Sequence, residues 1–309
     1  MNIDLNFFPG WVRKSISFSI DDGNVTCDRK FIEITKPHGI KGTFNLCIDR
    51  MHESPEFYRE FYRGYEISNH CKYHPFALRD EVEYVYATEP FDKETADRSL
   101  AYRINDEGLT YIFDNYRGAW VGALSAEDYV RCALINTEAL EEIFGEGSVR
   151  GFVWPFGTQS SRRTKEGLLA NGFTELRNAG RSRDLDGFAI PRDKTEWNCN
   201  SRHNELLEVA KMYEEYADDG ELKTFIFGVH SADFETDKVW HILETFSKEY
   251  GDRPDTYYYA TVGEIFDYEK AIEAAVIADG KITNNSHLTL YFTVDGERRT
   301  LAPKSEMSL

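Results

Sequence analysis

The stretch Ser17-Phe18-Ser19-Ile20-Asp21-Asp22-Gly23 decides the reading of this chain. An apolar run from Ser15 to Ile20 reads as a buried strand, and it stops at two carboxylates and a glycine, where a chain leaves a sheet. Adjacent carboxylates at a strand end repel each other unless a cation lies beside them, and a bound metal would supply one. Further ligands follow. A second strand-like stretch, Tyr65-Glu66-Ile67-Ser68, runs into Asn69-His70-Cys71-Lys72-Tyr73-His74-Pro75. Its two imidazoles stand four residues apart, a spacing that one helical turn, or a tight helical loop, points in one direction. Asp22, His70 and His74 make three protein ligands with a position left open, the arrangement of a catalytic metal site.

Two later stretches continue the pattern. Gly151-Phe152-Val153-Trp154-Pro155-Phe156-Gly157 places a Pro-Phe-Gly loop after a strand, and Phe227-Gly228-Val229-His230 is an apolar strand ending in histidine. Asp-Asp-Gly, His-x-x-x-His-Pro, Trp-Pro-Phe-Gly and the strand-terminal histidine, in this order, resemble the motifs of the NodB-type polysaccharide deacetylases. These are metal-dependent enzymes that remove acetyl groups from sugars. The resemblance spans most of residues 15 to 230. It implies a distorted (β/α)7 barrel, with Asp22, His70 and His74 on the metal, Asp21 as general base and His230 as general acid. It also implies a main-chain oxyanion donor in the loop of Trp154, Pro155 and Phe156.

Three positions depart from the family pattern. Its third motif carries an arginine that pairs with the catalytic aspartate, and Val153 stands there instead. Arg177, at an expected strand end, and Arg192 are the candidate replacements, with an ordinary surface arginine as the alternative for each. Trp197 is the candidate for the tryptophan of the fourth motif, with a core role as its alternative. Cys71 stands where the second motif prefers serine or threonine.

The rest of the chain is organised around these motifs. At 309 residues, one α/β barrel with an appendage is more natural than two equal domains. Helices are expected over 26–38, 55–63, 125–145, 164–171, 204–216, 238–250 and 262–276. Strands are expected over 41–46, 65–68, 149–153, 173–176, 187–190, 225–229 and 256–260. The alternation argues for a parallel sheet with helices outside and ligands at the carboxyl ends of its strands. Residues 76–120 break this rhythm with aromatics that include Tyr84, Phe91, Tyr102, Tyr111 and Phe113. They read as an insertion over the barrel mouth with hairpin content at 102–113, serving as a sugar-stacking lid or as a surface elaboration or dimer contact. After Ala278, alternating Leu288, Leu290, Phe292 and Val294 lead into Asp295-Gly296, the turn of a small β appendage over 279–309 that is expected to pack on the barrel spanning 1–278, with carbohydrate binding as the alternative.

Charge and cysteine usage narrow the partners. With 36 basic and 54 acidic side chains the net charge is -18, which argues against nucleic acid. No window approaches the roughly 18 apolar residues of a membrane span. The five cysteines lack CxxC spacing and read as free thiols. With no signal-like segment near Met1, a cytoplasmic protein is the direct expectation, with export, as for many members of the family it resembles, as the alternative. The functional expectation is a metal-dependent hydrolase, on Zn²⁺ with Co²⁺ or Fe²⁺ also admitted by the ligands, that removes acetyl from an N- or O-acetylated carbohydrate. A C–N amidase on a non-sugar substrate and an inactive metal- and carbohydrate-binding homologue are the alternatives, and a homo-oligomer is left open.

Overall fold

The structure is a computed structural model that describes every residue except 79–84, 87–91, 101, 107–108, 117–118, 158–160 and 182–187. Its centre is a ring of parallel strands. In chain order these are β2 (Lys14–Asp22), β3 (Thr43–Leu46), β4 (Glu66–Asn69), β10 (Val149–Val153), β11 (Leu176–Arg181), β12 (Trp197–Cys199) and β13 (Lys223–His230). They are hydrogen-bonded in the order β12-β11-β10-β4-β3-β2-β13. The two ends of this path meet just past β12, where Ser201 bridges Phe227 in parallel. There Asn200 N–H donates to Ile226 O at 2.7 Å and Gly228 N–H to Ser201 O at 3.0 Å. A further strand, β14 (Tyr257–Tyr259), pairs with the first half of β2. The architecture is the expected distorted seven-stranded α/β barrel.

Helices cover the outside, and several of them carry a start signal in the sequence. The Asn24 side chain caps α1 (Val25–Thr35), and Ser125 caps α3 (Ala126–Phe144). Thr261 and Glu264 form a reciprocal capping box at the start of α8 (Val262–Glu273). The main core lies between α1, α5 (Leu206–Glu215), α7 (Trp240–Tyr250) and the sheet, where Phe18, Phe31, Phe44, Phe225, Phe227 and Phe246 are fully buried. Gly42 lets β3 start close beside β2, since a side chain there would meet the Phe18 ring.

Several expectations need correction. The segment from His70 to His74 forms no helical turn; it is a loop in which Cys71 (φ 60°) and His74 (φ 51°) are left-handed. The strand expected at 173–176 begins only at Leu176 and runs to Arg181, because Asn171-Gly172 and the residues after them still close off α4 (Arg162–Ala170). Of the strand expected at 187–190, Gly187 lies outside the described residues and Ala189 makes a single antiparallel bridge to Lys223. Strand β12 and the short helix α6 (Ser231–Thr236) were not expected, being too short to show a period.

The stretch read as an insertion is more ordered than a hairpin. It forms a separate five-stranded sheet, β5 (Phe76–Ala77), β6 (Val85–Tyr86), β7 (Tyr102–Asp106), β8 (Leu109–Tyr116) and β9 (Ala119–Leu124), in the order β5-β9-β8-β7-β6. Tyr84 and Phe91 lie outside the described residues. Leu109 and Leu124 bury against Tyr129, Cys132 and Trp154, which ties this sheet to α3 and β10. At the C-terminal end, β17 (Leu290–Val294) and β18 (Glu297–Leu301) form the hairpin around Asp295-Gly296. Strand β1 (Ile3–Phe7) pairs antiparallel with β17, which joins the two ends of the chain in one sheet.

Candidate active site

The ladder registers bring the motif residues to one end of the barrel. Strand β2 delivers Asp21, whose Cα neighbours are Asn45 on β3 and His230 on β13. One residue on, the backbone turns left-handed at Asp22 (φ 82°), a conformation that costs an aspartate energy and turns its side chain away from the strand's alternation. Beyond β3, strand β4 ends at Asn69, and His70 follows it. All of these lie at the carboxyl ends of parallel strands, where α/β barrels carry their sites.

Asp22, His70 and His74 form one cluster, with ligand atoms all within 4.8 Å of one another. Both Nε2 atoms stand 3.6 Å from Asp22 Oδ1. His70 Nδ1 lies 2.9 Å from the Val153 carbonyl oxygen, which fixes the proton there and leaves the Nε2 lone pair facing Asp22. His70 Nε2 is buried without a hydrogen-bond partner, and Asp22 Oδ1 is buried with no hydrogen bond but in an ion pair with Arg50 Nη1 at 2.6 Å. Burial, and for His74 the neighbouring His70, push both imidazoles down, His74 to about 4, so both are in the neutral, ligating form at neutral pH. A buried, unpaired imidazole nitrogen in a one-carboxylate, two-imidazole set fits a divalent transition metal.

The loop carrying the histidines is anchored from below. Asn69 Oδ1 accepts from Cys71 N–H at 2.7 Å and from Asn136 Nδ2 at 2.9 Å. Asn136, on α3, also donates to Leu46 O at 2.8 Å and accepts from Ile48 N–H at 2.8 Å. One buried amide therefore holds the ends of β3 and β4 together.

Asp21 is not part of this cluster and is held by other groups. Arg177 Nη2 contacts both of its carboxylate oxygens, and Asn45 Nδ2 donates to Oδ1 at 2.7 Å. Burial pushes the Asp21 carboxyl up, but Arg177 and the nearby imidazoles outweigh it, so the group stays below the usual carboxylate range. Arg177 is only 4% exposed, which overturns the surface reading of this residue. Its partner in the β10/β11 ladder is Val153. The guanidinium expected at position 153 thus arrives from the neighbouring strand at the same level. Gly228 makes the room: a side chain there would meet Cys199 Sγ and Arg177 Nη1.

His230 completes the arrangement. Its Nδ1 lies 3.1 Å from Asp233 Oδ2 and its Nε2 lies 3.8 Å from Asp22 Oδ2. The bond to Asp233 raises its pKa to about 9, against the opposing effect of burial, so the ring is cationic at neutral pH. Asp233, one turn further along α6, was missed by the sequence reading; an acidic residue three positions after His230 is the signal that was available. Trp154 and Phe156 line a cavity of about 500 Å³ with Asp21, His70, His74 and His230. Phe156 is left-handed (φ 58°) and half exposed, and its ring stacks on Phe76 at 3.7 Å. Pro155 is buried beside that cavity without lining it. Trp197 is elsewhere: it is 4% exposed and packs edge-on against Phe266 of α8, a core residue. Arg192 is exposed.

The sequence matches a family model described as polysaccharide deacetylase over residues 12–176, more than half of the chain. The chain belongs to the polysaccharide deacetylase family. No curated protein matches it. Among solved structures it is similar to a family 4 acetyl xylan esterase from Clostridium thermocellum in complex with a cobalt ion, at 12% identity and a TM-score of 0.46, covering 82% of this chain and 91% of that one. It is also similar to a peptidoglycan deacetylase from Bacillus subtilis, at 14% identity and a TM-score of 0.45, covering 85% and 94%. A third is the chitin deacetylase of the fungal pathogen Colletotrichum lindemuthianum, at 16% identity and a TM-score of 0.44, covering 84% and 89%. Among the described residues, no helix of this polysaccharide deacetylase family member is long and apolar enough to cross a membrane.

Proposed function

We propose that the protein is a metal-dependent hydrolase that removes acetyl groups from an N- or O-acetylated carbohydrate. The observation that carries this reading is the division of labour between neighbouring carboxylates. Asp22 faces two neutral imidazoles, whereas Asp21, one residue earlier, is held by Arg177 and Asn45 and stays free of that cluster.

A divalent ion on Asp22, His70 and His74, Zn²⁺ by donor chemistry with Co²⁺ or Fe²⁺ also admitted, supplies Lewis-acid polarisation of the acetyl carbonyl and of water. Asp21, ionised beside Arg177, takes the proton of the attacking water as general base. Water adds to the acetyl carbon, and the C–N or C–O bond to the sugar breaks. His230, cationic and oriented through Nδ1 by Asp233, gives its Nε2 proton to the departing amine or alcohol. The main-chain N–H of Phe156 is the expected oxyanion donor, and a donor of this kind is indifferent to the Phe side chain. Trp154 and Phe156, whose ring stacks on Phe76, line the cavity in which a sugar would pack.

The five free cysteines, four of them buried, support a reducing compartment and hence the cytoplasm. Arg177 in the place of the motif arginine supports turnover over the inactive, binding-only reading. The test is Asp21→Asn. Acetate release is expected to fall by about a thousandfold with stoichiometric metal binding retained, and an unchanged rate would sink the assignment.

A further inference from the structure

A second cavity, of about 400 Å³, opens on the other side of Asp22, between that residue, Asn24, Thr26, Arg50 and Tyr58. Its volume is that of a small-molecule cleft. Arg50, from the turn after β3, is the feature that the proposed chemistry leaves unused. Its Nη1 stands 2.6 Å from Asp22 Oδ1, the oxygen that faces both imidazoles. That oxygen has no hydrogen-bond partner, so the contact is an ion pair without an aligned N–H. No described residue accepts a hydrogen bond from the Arg50 guanidinium, and its side chain is 41% exposed.

An arginine is a rigid fork of five donors suited to carboxylate and phosphate, and here the fork opens on a cavity with Nη1 ion-paired to Asp22 and no N–H hydrogen-bonded to a described residue. Its one carboxylate neighbour is also a candidate metal ligand. Once Asp22 Oδ1 is shared with a cation, its charge no longer compensates Arg50, and the guanidinium is left facing the cavity beside the reaction centre. The other charged or titratable groups lining this cavity are His52, Glu53 and His230. Glu53 opposes an anion, but it is exposed to solvent, where its effect is screened. In a chain of net charge -18, a cation at this position gives an anionic substrate its local point of attraction.

We propose that Arg50 is a specificity residue that binds an anionic group, a carboxylate or a phosphate, carried by the acetylated sugar in the cavity between Asp22 and Tyr58. The proposal rests on the deacetylase reading and narrows its substrate class to acidic sugars.

The test measures binding apart from turnover. N-acetylglucosamine, its 1-phosphate and its 3-O-lactyl ether, which carries a carboxylate, are titrated by calorimetry into metal-loaded Asp21→Asn protein, alone and with Arg50→Gln. Metal affinity is measured on both proteins, and acetate release from the same sugars on the wild type. At least one anionic sugar is expected to bind about tenfold more tightly than the neutral one, with that advantage lost in Arg50→Gln. The advantage is also expected to shrink between about 0.05 M and 0.5 M salt. A gain for the phosphate alone or for the lactyl ether alone names the source of the anion. Equal binding of all three overturns the proposal, as does a preference that survives Arg50→Gln. A variant altered only in metal affinity also overturns it, making Arg50 a counter-ion of Asp22. Acetate release without anion preference leaves the hydrolase reading standing and removes Arg50 from it. Arg50-dependent binding of anionic sugars without acetate release does the reverse.

Discussion

At the level of single residues, this site shows how a charge pair persists when one partner changes its address. Val153 sits where the family pattern has an arginine, and read along the chain that looks like a loss. The sheet supplies the missing coordinate: Val153 and Arg177 are ladder partners, so a guanidinium on either strand reaches the same depth. Arg177 was named from the sequence as a replacement, yet burial and pairing were invisible there, because an arginine at a strand end reads the same exposed or buried. Asp233 was missed altogether, its one local signal being an acidic side chain three positions after His230. If Arg177 orients Asp21, Arg177→Ala will lower acetate release by about a hundredfold with metal content unchanged. Adding Val153→Arg to that variant will restore part of the loss. An active Arg177→Ala enzyme would remove the pair from the mechanism.

At the level of elements, the site is built where strands β2, β3, β4, β10 and β13 end, with Arg177 added from near the start of β11, and most of those ends were legible from apolar runs stopping at polar residues. The histidine loop was not. A four-residue spacing suits a helix, but here the two imidazoles converge because Cys71 and His74 adopt left-handed backbone, held by Asn69 and Asn136 through contacts from α3 that no local pattern encodes. A second buried group joins elements beside the site. Asp28 in α1 accepts from Ser231 Oγ at 2.5 Å and from Tyr62 OH at 2.7 Å, linking α1, α6 and the turn after α2 (Pro55–Phe61). Burial pushes its carboxyl up to about 7 against the pull of these two hydrogen bonds. A folded value above the unfolded one means that the stability tied to Asp28 is fully present below about pH 4 and is lost as the pH rises through about 7. The wild type is therefore expected to lose several degrees of Tm between about pH 5.5 and 8, and Asp28→Asn to lose less. Equal slopes for the two proteins would contradict this assignment.

At the level of the whole molecule, the barrel is accompanied by two structures with different legibility. The C-terminal hairpin was readable from alternation and an Asp-Gly turn, but its pairing with β1 joins residues almost the full chain length apart, and no sequence signal carries that. Leu290, Phe292 and Leu301 bury with Ala271 of α8, and Ile3 and Leu5 pack against them. Removal of residues 279–309 is expected to strip these contacts and lower Tm by about 10 °C, whereas an unchanged Tm would make the appendage independent of the barrel. Of the five-stranded sheet over 76–124, the sequence showed a break in rhythm and the hairpin over 102–113, which β7 and β8 form, whereas the other strands are too short to show a period. The sheet supports the site through Phe76, whose ring stacks on Phe156 of the cavity lining. The account as a whole turns on Asp22, His70 and His74 holding a metal that the chemistry requires. The most direct measurement is acetate release from acetylated sugars by protein stripped with a chelator and then given Zn²⁺ or Co²⁺. Release that disappears on stripping and returns with about one metal per chain, and that is absent from His70→Ala, is the predicted result. Release that is indifferent to the chelator, or that persists in His70→Ala, would contradict it.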